Sequence, residues 1–349
     1  MNTKRIQAEV LKDFVIRVLN CVAVRSSDAA AVAEVLVEAD MRGISSHGVS
    51  RLGRYVRAVK KGEIDVGATM VFLSERGSTS VLDAANGFGQ VAGVMAMDKA
   101  IATAQEYGIG MVFVRNSSHF GIAGYYAERA LPNSIGIAMS NTSPLVVPTN
   151  GKQAVLGTNP IAVAAPTRGD AWLMDFSTSA VSRGKIEVCQ REGKPLDPTW
   201  ALDEDGRPCT DAQHVLDLLS ARKAGGIAPM ADYKGYGLSF MVDLLSGVLS
   251  GSAFGLDVHE HAHANVGHCF LAINIEFLMS LDVYLLRMNG FCEMMRRSAA
   301  DGNYVFLHGE KESIARRQSI SDGVLIKPET ETILRALADE FGLDQAQFG

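Results

Sequence analysis

The sequence predicts an α/β protein in which the N- and C-terminal segments share one domain and the middle of the chain forms another. Three observations carry this. Helical periodicity dominates both ends of the chain, and short apolar strand-like runs dominate its middle. The length of 349 residues also exceeds what one hydrophobic core usually organises.

Taken in order, residues 5–40 read as two amphipathic helices, with Ser26-Ser27-Asp28 as the N-cap of the second. A helix with basic residues follows over 49–61. TSVLDA (79–84) reads as a strand, residues 91–108 as a helix stopped by Gly108, and GMVFVRN (110–116) as a strand. IGIAMSN (135–141), IAVAAP (161–166) and AWLMDF (171–176) are short apolar runs bounded by Pro, Gly or Asn, and read as strands. Residues 190–225 are dense in charge, Pro and Gly and predict an excursion of hairpins and loops. The pattern over 234–251 is that of a long buried helix, CFLAINI (269–275) that of a strand, and helices return over 276–298 and 330–341.

Composition excludes several functions. The net charge of −6 is spread along the chain, and no Lys/Arg-rich run marks a surface for nucleic acid or an anionic membrane. No stretch of about 18 apolar residues occurs, so no membrane span is predicted. The opening MNTKRIQAEVLKDF lacks the apolar region of a signal peptide. Five scattered cysteines form neither a disulfide framework nor a metal pair, and fit a reducing, cytoplasmic setting.

Chemistry concentrates in RGISSHGVSRLGRY (42–55). A helical pattern breaks at Gly43, crosses Ser45, Ser46 and His47, meets Gly48, and resumes with Arg51 and Arg54. Arg51 lies four residues, about one helical turn, beyond His47. Histidine passes protons near neutrality, and arginine grips a carboxylate through two hydrogen bonds. A proton donor beside a carboxylate clamp is what reduction of a 2-oxo acid needs; a helix-junction histidine with surface arginines is the plainer reading. In RNSSHFGIAGYYAERAL (115–131), polar residues and His119 stand where a strand ends and a helix opens, a place for anionic ligands or for a simple cap. Residues 140–144, 157–160 and 175–179 each close an apolar run with hydroxyl or amide groups, suiting a ribose or phosphate when they converge and ordinary turns when they do not. Lys234 would put an ammonium at a helix N-terminus, a diphosphate site or a solvated helix end.

Two segments compete with this reading. GFGQVA (87–92) matches a G-x-G-x-x-A dinucleotide fingerprint, but the next strand ends in Arg115-Asn116 rather than an acidic residue. HEHAHANVGH (259–268) places four histidines within ten residues, which as a metal-dependent hydrolase would bind zinc or manganese through His259, His261, His263 and His268, and as a polar loop would bind nothing.

Six segments in order resemble the malate/L-lactate dehydrogenase family that includes sulfolactate, ureidoglycolate and diketogulonate enzymes: RGISSHGVSRL, NSSHFGIAGYYA, VPTNGKQAVLGTNPIAVAAP, MDFSTSAVSRGKI, PTWALDEDGRPCTD and KGYGLSFMVDLLSGVLSGSAFG. The resemblance covers residues 5–345. It implies a non-Rossmann α/β fold with a mixed sheet, in which GFGQVA is a coincidental match. A dinucleotide-binding middle domain (117–289) and a terminal substrate and dimerisation domain (1–116 with 290–349) are expected, in a homodimer. The cofactor implied is NAD or NADP and the partner a small 2-oxo or 2-hydroxy acid, with cyclic imino acids within the same family. By position, His47 resembles the family's proton donor, a role His119 takes in some members, and Arg51 its carboxylate partner. Ser46 and Asn159 fall in the substrate motifs. Thr142, Asp175, Ser177, Thr178 and Lys234 fall on nucleotide-contacting motifs, as do Gly309 and Glu310, where His308 replaces the family's usual proline. No metal is required. The loop carrying the histidine cluster is shorter than in many relatives and is expected to help shape the substrate pocket.

Overall fold

The computed structural model describes residues 4–345. The chain opens with strand β1 (Lys4–Ile6) and helices α1 (Ala8–Cys21) and α2 (Ser26–Met41), then two 3₁₀ turns (Ser45–His47 and Val49–Arg51) that lead into α3 (Leu52–Lys60). Strands β2 (Val71–Arg76) and β3 (Thr79–Asp83), helix α4 (Gly89–Tyr107), strand β4 (Ile109–Ser117), helix α5 (Ala123–Glu128) and strand β5 (Ser134–Ser140) follow. Next come β6 (Ile161–Ala165), β7 (Trp172–Phe176), α6 (Arg183–Arg191), β8 (Ala201–Leu202), α7 (Ala212–Ala221) and β9 (Gly226–Ile227). The chain closes with α8 (Tyr233–Asp243), β10 (Val266–Asn274), α9 (Leu281–Arg297), α10 (Glu310–Asp322), β11 (Val324–Ile326) and α11 (Pro328–Phe341).

The two chain ends share one core. Leu11, Phe14, Val15 and Val18, spaced to fall on one face of α1, pack with Val32 and Leu36 of α2, Leu52 and Val56 of α3, and Leu334 and Leu337 of α11. β1 and β11 close this region as an antiparallel pair. Between them stands a seven-stranded mixed sheet in the order β2-β3-β4-β10-β5-β6-β7, with only β3 and β4 parallel, joined through α4. The sheet takes β2–β4 from before residue 117 and its other four strands from after it. Alanines 92, 96, 100 and 104 give α4 a flat face on the sheet. The fit is close enough that a Cβ on Gly110 would meet the Ala100 carbonyl oxygen at 2.0 Å. A third apolar cluster, including Val146, Ile186, Val215 and Ile227, holds the 145–227 segment together.

Several elements differ from the sequence expectation. Helix α2 begins at Ser26 itself with no side-chain cap, and Arg25 instead bonds Asp28 at 2.8 Å. The segment 190–225 is not purely loops: Asp211 caps α7 by accepting the Gln213 and His214 N–H groups, a cap hidden in sequence among other charged residues. The predicted helix over 234–251 breaks into α8 and a π turn (Leu244–Val248), and it is not buried throughout. Phe240, Leu244 and Val248, four residues apart, form an exposed stripe. Strand β2 and helices α6 and α10 carry patterns too short or too polar to stand out. No helix among the described residues is long and apolar enough to cross a membrane.

Candidate active site

A cleft of about 410 Å³ opens where the 45–51 turns meet the ends of β4, β5 and β7. That size suits a small molecule held with part of a larger one. Seven of the residues singled out from sequence line it: Ser46, His47, Arg51, His119, Thr142, Asp175 and Ser177.

The turn carrying His47 is held from beneath. Asp40, buried near the end of α2, accepts the Val49 N–H at 2.7 Å, and burial pushes its carboxyl up to about 7. Arg51 Nε donates to the Ser46 carbonyl at 2.6 Å, folding the arginine back over the turn. The Ser46 hydroxyl lies 3.0 Å from His47 Nδ1. Burial, then Arg51 and Arg54, lower the His47 imidazole to about 4, so it is neutral at physiological pH. The sequence reading took His47 as the proton donor; burial and the two arginines hold its ring uncharged.

His119 reaches the same cleft from the end of β4, its ring 5.6 Å from that of His47 and tilted by 20°. Its Nδ1 accepts the Gly121 N–H at 3.3 Å and lies 2.7 Å from the Tyr55 hydroxyl, which also stands 3.5 Å from the His119 carbonyl. Burial, then His47, hold it well below the usual imidazole range. Tyr55 is itself buried and pushed up to about 12 by that burial. Sequence reading passed over Tyr55, because a buried aromatic in an amphipathic helix reads as core.

His268 does not join the other histidines. It stands fully buried in β10, its Nδ1 and Nε2 each 2.9 Å from the hydroxyls of Ser140 and Ser117, and its ring stacks on Phe120 at 4.5 Å. His263 faces the Glu63 carbonyl at 3.2 Å, whereas His259 lines the cleft. Among the described residues no three His, Cys, Asp or Glu side chains gather as a metal site. The fingerprint-like glycines also serve packing. Gly89 N–H donates to the Ser118 hydroxyl at 2.9 Å, and a Cβ there would lie 2.1 Å from the Ser118 carbonyl oxygen, so the start of α4 is filled by protein.

The remaining predicted residues divide. Thr142 Oγ1 accepts the Thr158 N–H at 2.9 Å, and the Thr142 N–H reaches Asn159 Oδ1 at 3.1 Å. Asn159 is fully buried and donates to the Ser239 carbonyl at 2.9 Å, while buried Thr178 donates to the carbonyls of Thr158 and Asn159 at 3.2 Å. Both therefore brace the cleft floor. Asp175 accepts the Gly124 N–H at 2.7 Å, and its buried carboxyl is pushed up to about 6. Lys234 is exposed on the first turn of α8, away from the cleft lining. Gly309 packs on Leu173 and borders a small cavity that shares Ile44, Ile122 and Asp175 with the cleft. Glu310 accepts from Arg296 at 2.6 Å, the Tyr304 hydroxyl at 2.9 Å and the Leu307 N–H at 2.8 Å.

The model of the malate/L-lactate dehydrogenase family matches residues 6–335. A malate dehydrogenase of Pyrococcus abyssi is 40% identical over 348 residues, 98% of this chain and 96% of that protein. The NAD(+) ureidoglycolate dehydrogenase of Escherichia coli K12 is 35% identical over 92% of each chain. An NADP(+) (2R)-3-sulfolactate dehydrogenase of Chromohalobacter salexigens is 36% identical over 73% of this chain and 77% of that protein. Among solved structures, malate dehydrogenase from Entamoeba histolytica superposes with a TM-score of 0.94 at 32% identity, covering 99% of this chain and 100% of that one. A delta1-piperideine-2-carboxylate reductase from Pseudomonas syringae superposes with a TM-score of 0.86 at 26% identity, over 96% of this chain and 100% of that one.

Proposed function

This chain belongs to the malate/L-lactate dehydrogenase family, and from that membership we propose that it moves a hydride between a nicotinamide cofactor, NAD or NADP, and C2 of a small 2-oxo or 2-hydroxy acid. The observation that carries the reading is one cleft in which two neighbouring neutral histidines, His47 and His119, stand with Arg51 and Arg54.

The donor set fits an anionic dinucleotide. The hydroxyls of Thr142, Thr158 and Ser177 line the cleft at strand ends, and the start of α6 adds Ser182 and the cation Arg183. A bound nicotinamide supplies or accepts the hydride. The chain's own residues do the rest. Arg51 grips the carboxylate on C1 and orients C2. In the oxidising direction neutral His47 takes the hydroxyl proton. In the reducing direction the substrate's negative charge offsets the arginine share of what, after burial, holds His47 uncharged, so His47 takes up a proton as the acid binds and delivers it to the carbonyl oxygen. Arg54, exposed at the rim, matches a second acidic group, which favours malate and oxaloacetate over lactate and pyruvate.

The division into 1–116 with 290–349 and 117–289 remains part of this reading on the core the chain ends share, with the sheet crossing it where β4 pairs β10. So do a homodimer, supported by the exposed apolar faces of α8 and α9, and the cytoplasm, supported by five free cysteines.

The test is consumption of NADH and NADPH with a panel of 2-oxo acids and cyclic imino acids, with and without EDTA. Chelator-insensitive consumption with oxaloacetate is expected. Turnover restricted to cyclic imines would move the substrate to the family's reductase type, and no turnover in either direction would overturn the reading.

A further inference from the structure

His47 and His119 are held differently, and the difference divides their labour. At His119 one nitrogen meets two groups: the Gly121 N–H donates to Nδ1 at 3.3 Å, and the Tyr55 hydroxyl lies 2.7 Å from the same atom. A backbone N–H only donates, so Nδ1 presents its lone pair and the ring proton sits on Nε2. Tyr55 is fixed for this contact. It is buried between α3 and the core, packs against Phe88, and feels the amide of Gln90. Gln90 is fully buried with no other partner for either amide atom. Among the described residues, the hydrogen-bond partner of the His47 ring is the Ser46 hydroxyl, which donates or accepts as the ring requires.

We propose that Tyr55 is a positioning residue that locks His119 as its Nε2–H tautomer, so that His119 serves as a fixed N–H donor to the substrate's C2 oxygen while His47 alone carries the proton. This rests on the hydride-transfer reading above.

The reasoning is one of proton accounting. To become an imidazolium, His119 must gain a proton at Nδ1, where two donors already point. To give up its Nε2 proton without that gain, it must leave as an imidazolate. A relay through Tyr55 would leave a phenolate in surroundings that push the phenol up to about 12. A neutral imidazole N–H still stabilises negative charge on a carbonyl oxygen. His47 takes a proton without breaking a fixed contact. The rings lie 5.6 Å apart, so two imidazoliums would repel and one is accommodated. In oxidation, the hydroxyl proton passes to His47, the C2 hydride leaves with its two electrons for the nicotinamide, and the C=O bond forms. The His119 proton stays on Nε2 throughout.

Two measurements test this. In protein labelled with ¹⁵N-histidine, assigned by difference with His119→Gln, His119 should show a pyridine-type Nδ1 and a pyrrole-type Nε2, unchanged across neutral pH. Tyr55→Phe should release that tautomer and lower kcat about tenfold, the worth of one buried hydrogen bond, with KM little changed. His119→Gln keeps an N–H donor, so it should retain more turnover than His119→Ala and keep the wild-type pH dependence, whereas His47→Gln should lose it. A pyrrole-type Nδ1, or His119→Gln as inactive as His119→Ala with the pH dependence gone, would overturn the assignment. Absence of turnover with every panel member would overturn the hydride-transfer reading, and the nitrogen shifts would still decide the tautomer.

Discussion

The Asp40 carboxylate occupies the space a side chain on Gly48 would need: a Cβ built there lies 2.1 Å from its carboxyl atoms. Because Asp40 also holds the Val49 N–H, neither can move without moving His47. Gly48→Ala should therefore cost about 100-fold in kcat/KM through misplacement of the proton carrier. The loss of stability should be only about 1–3 kcal/mol, as for other overpacked sites. Steady-state kinetics beside urea unfolding would separate the two; equal activity in the variant would mean the turn is not held in this way.

His47→Ala should lower turnover by about two to four orders of magnitude, the usual worth of a general acid–base group. Arg51→Ala should act differently, raising KM for the acid more than it lowers kcat, because the guanidinium binds the carboxylate in ground and transition states alike. The comparison needs both constants for both variants. A purely kcat effect at Arg51 would place it with the reacting atoms.

Acid should unfold this protein early. His47 and His259 are lowered to about 4 and His268 to about 3, mainly by burial. Each is neutral when folded and protonates near 6.5 when unfolded, so stability is lost as pH falls from 6.5 towards those values. Asp40 and Asp175, raised to about 7 and about 6, work the other way, losing their contribution as pH rises from 3.8 through those values. One histidine is worth up to about 1.4 kcal/mol per pH unit across its window. His268→Gln should therefore flatten the fall in urea midpoint between pH 6 and 4 relative to wild type, even where its stability at pH 7 is lower. A parallel pair of pH curves would show that His268 titrates alike in both states.

What the sequence reveals here follows from how local each signal is. Gly108, at a φ of +81, ends α4 where the periodicity stops, and the alternation in β4 and β5 needs only neighbours to be read. The 42–55 motif packs His47, the two cleft arginines Arg51 and Arg54 and their turn into one segment, so half the site is visible in one stretch. Tyr55 acting on His119 joins residues 64 apart, and nothing local in either distinguishes that contact from core packing. His268 misleads for the same reason: its polar partners, Ser117 and Ser140, come from two other strands. The helix over 234–251 looked buried because its apolar residues are real, and the chain alone leaves them uncovered.

Those uncovered residues make an assembly prediction. Phe240 is 56% exposed and Leu249 57% on the α8 segment, and Leu286 is 65% and Met294 62% on α9. Apolar surface of this extent marks an interface. The wild type should sediment as a dimer, and Phe240→Asp combined with Leu286→Asp should give monomer with the same far-ultraviolet circular dichroism. Wild-type monomer at micromolar concentration would end the homodimer reading.

His259 should set substrate preference rather than rate. It lines the cleft at a φ of +60, held by its own backbone: its N–H donates to the Ala264 carbonyl, and its carbonyl accepts from Arg222, both at 3.0 Å. Burial, then Arg54 and Arg222, keep its ring neutral. It therefore stands beside the rim arginine assigned to the substrate's second acidic group. Asparagine tolerates the left-handed backbone, so His259→Asn tests the side chain without straining the loop. The ratio of kcat/KM between malate and lactate should change by about tenfold, the scale of one misplaced polar contact, while the pH dependence assigned to His47 stays in place. An unchanged ratio would reduce the loop to a wall of the cleft, whereas a shifted pH dependence would bring His259 into proton transfer itself.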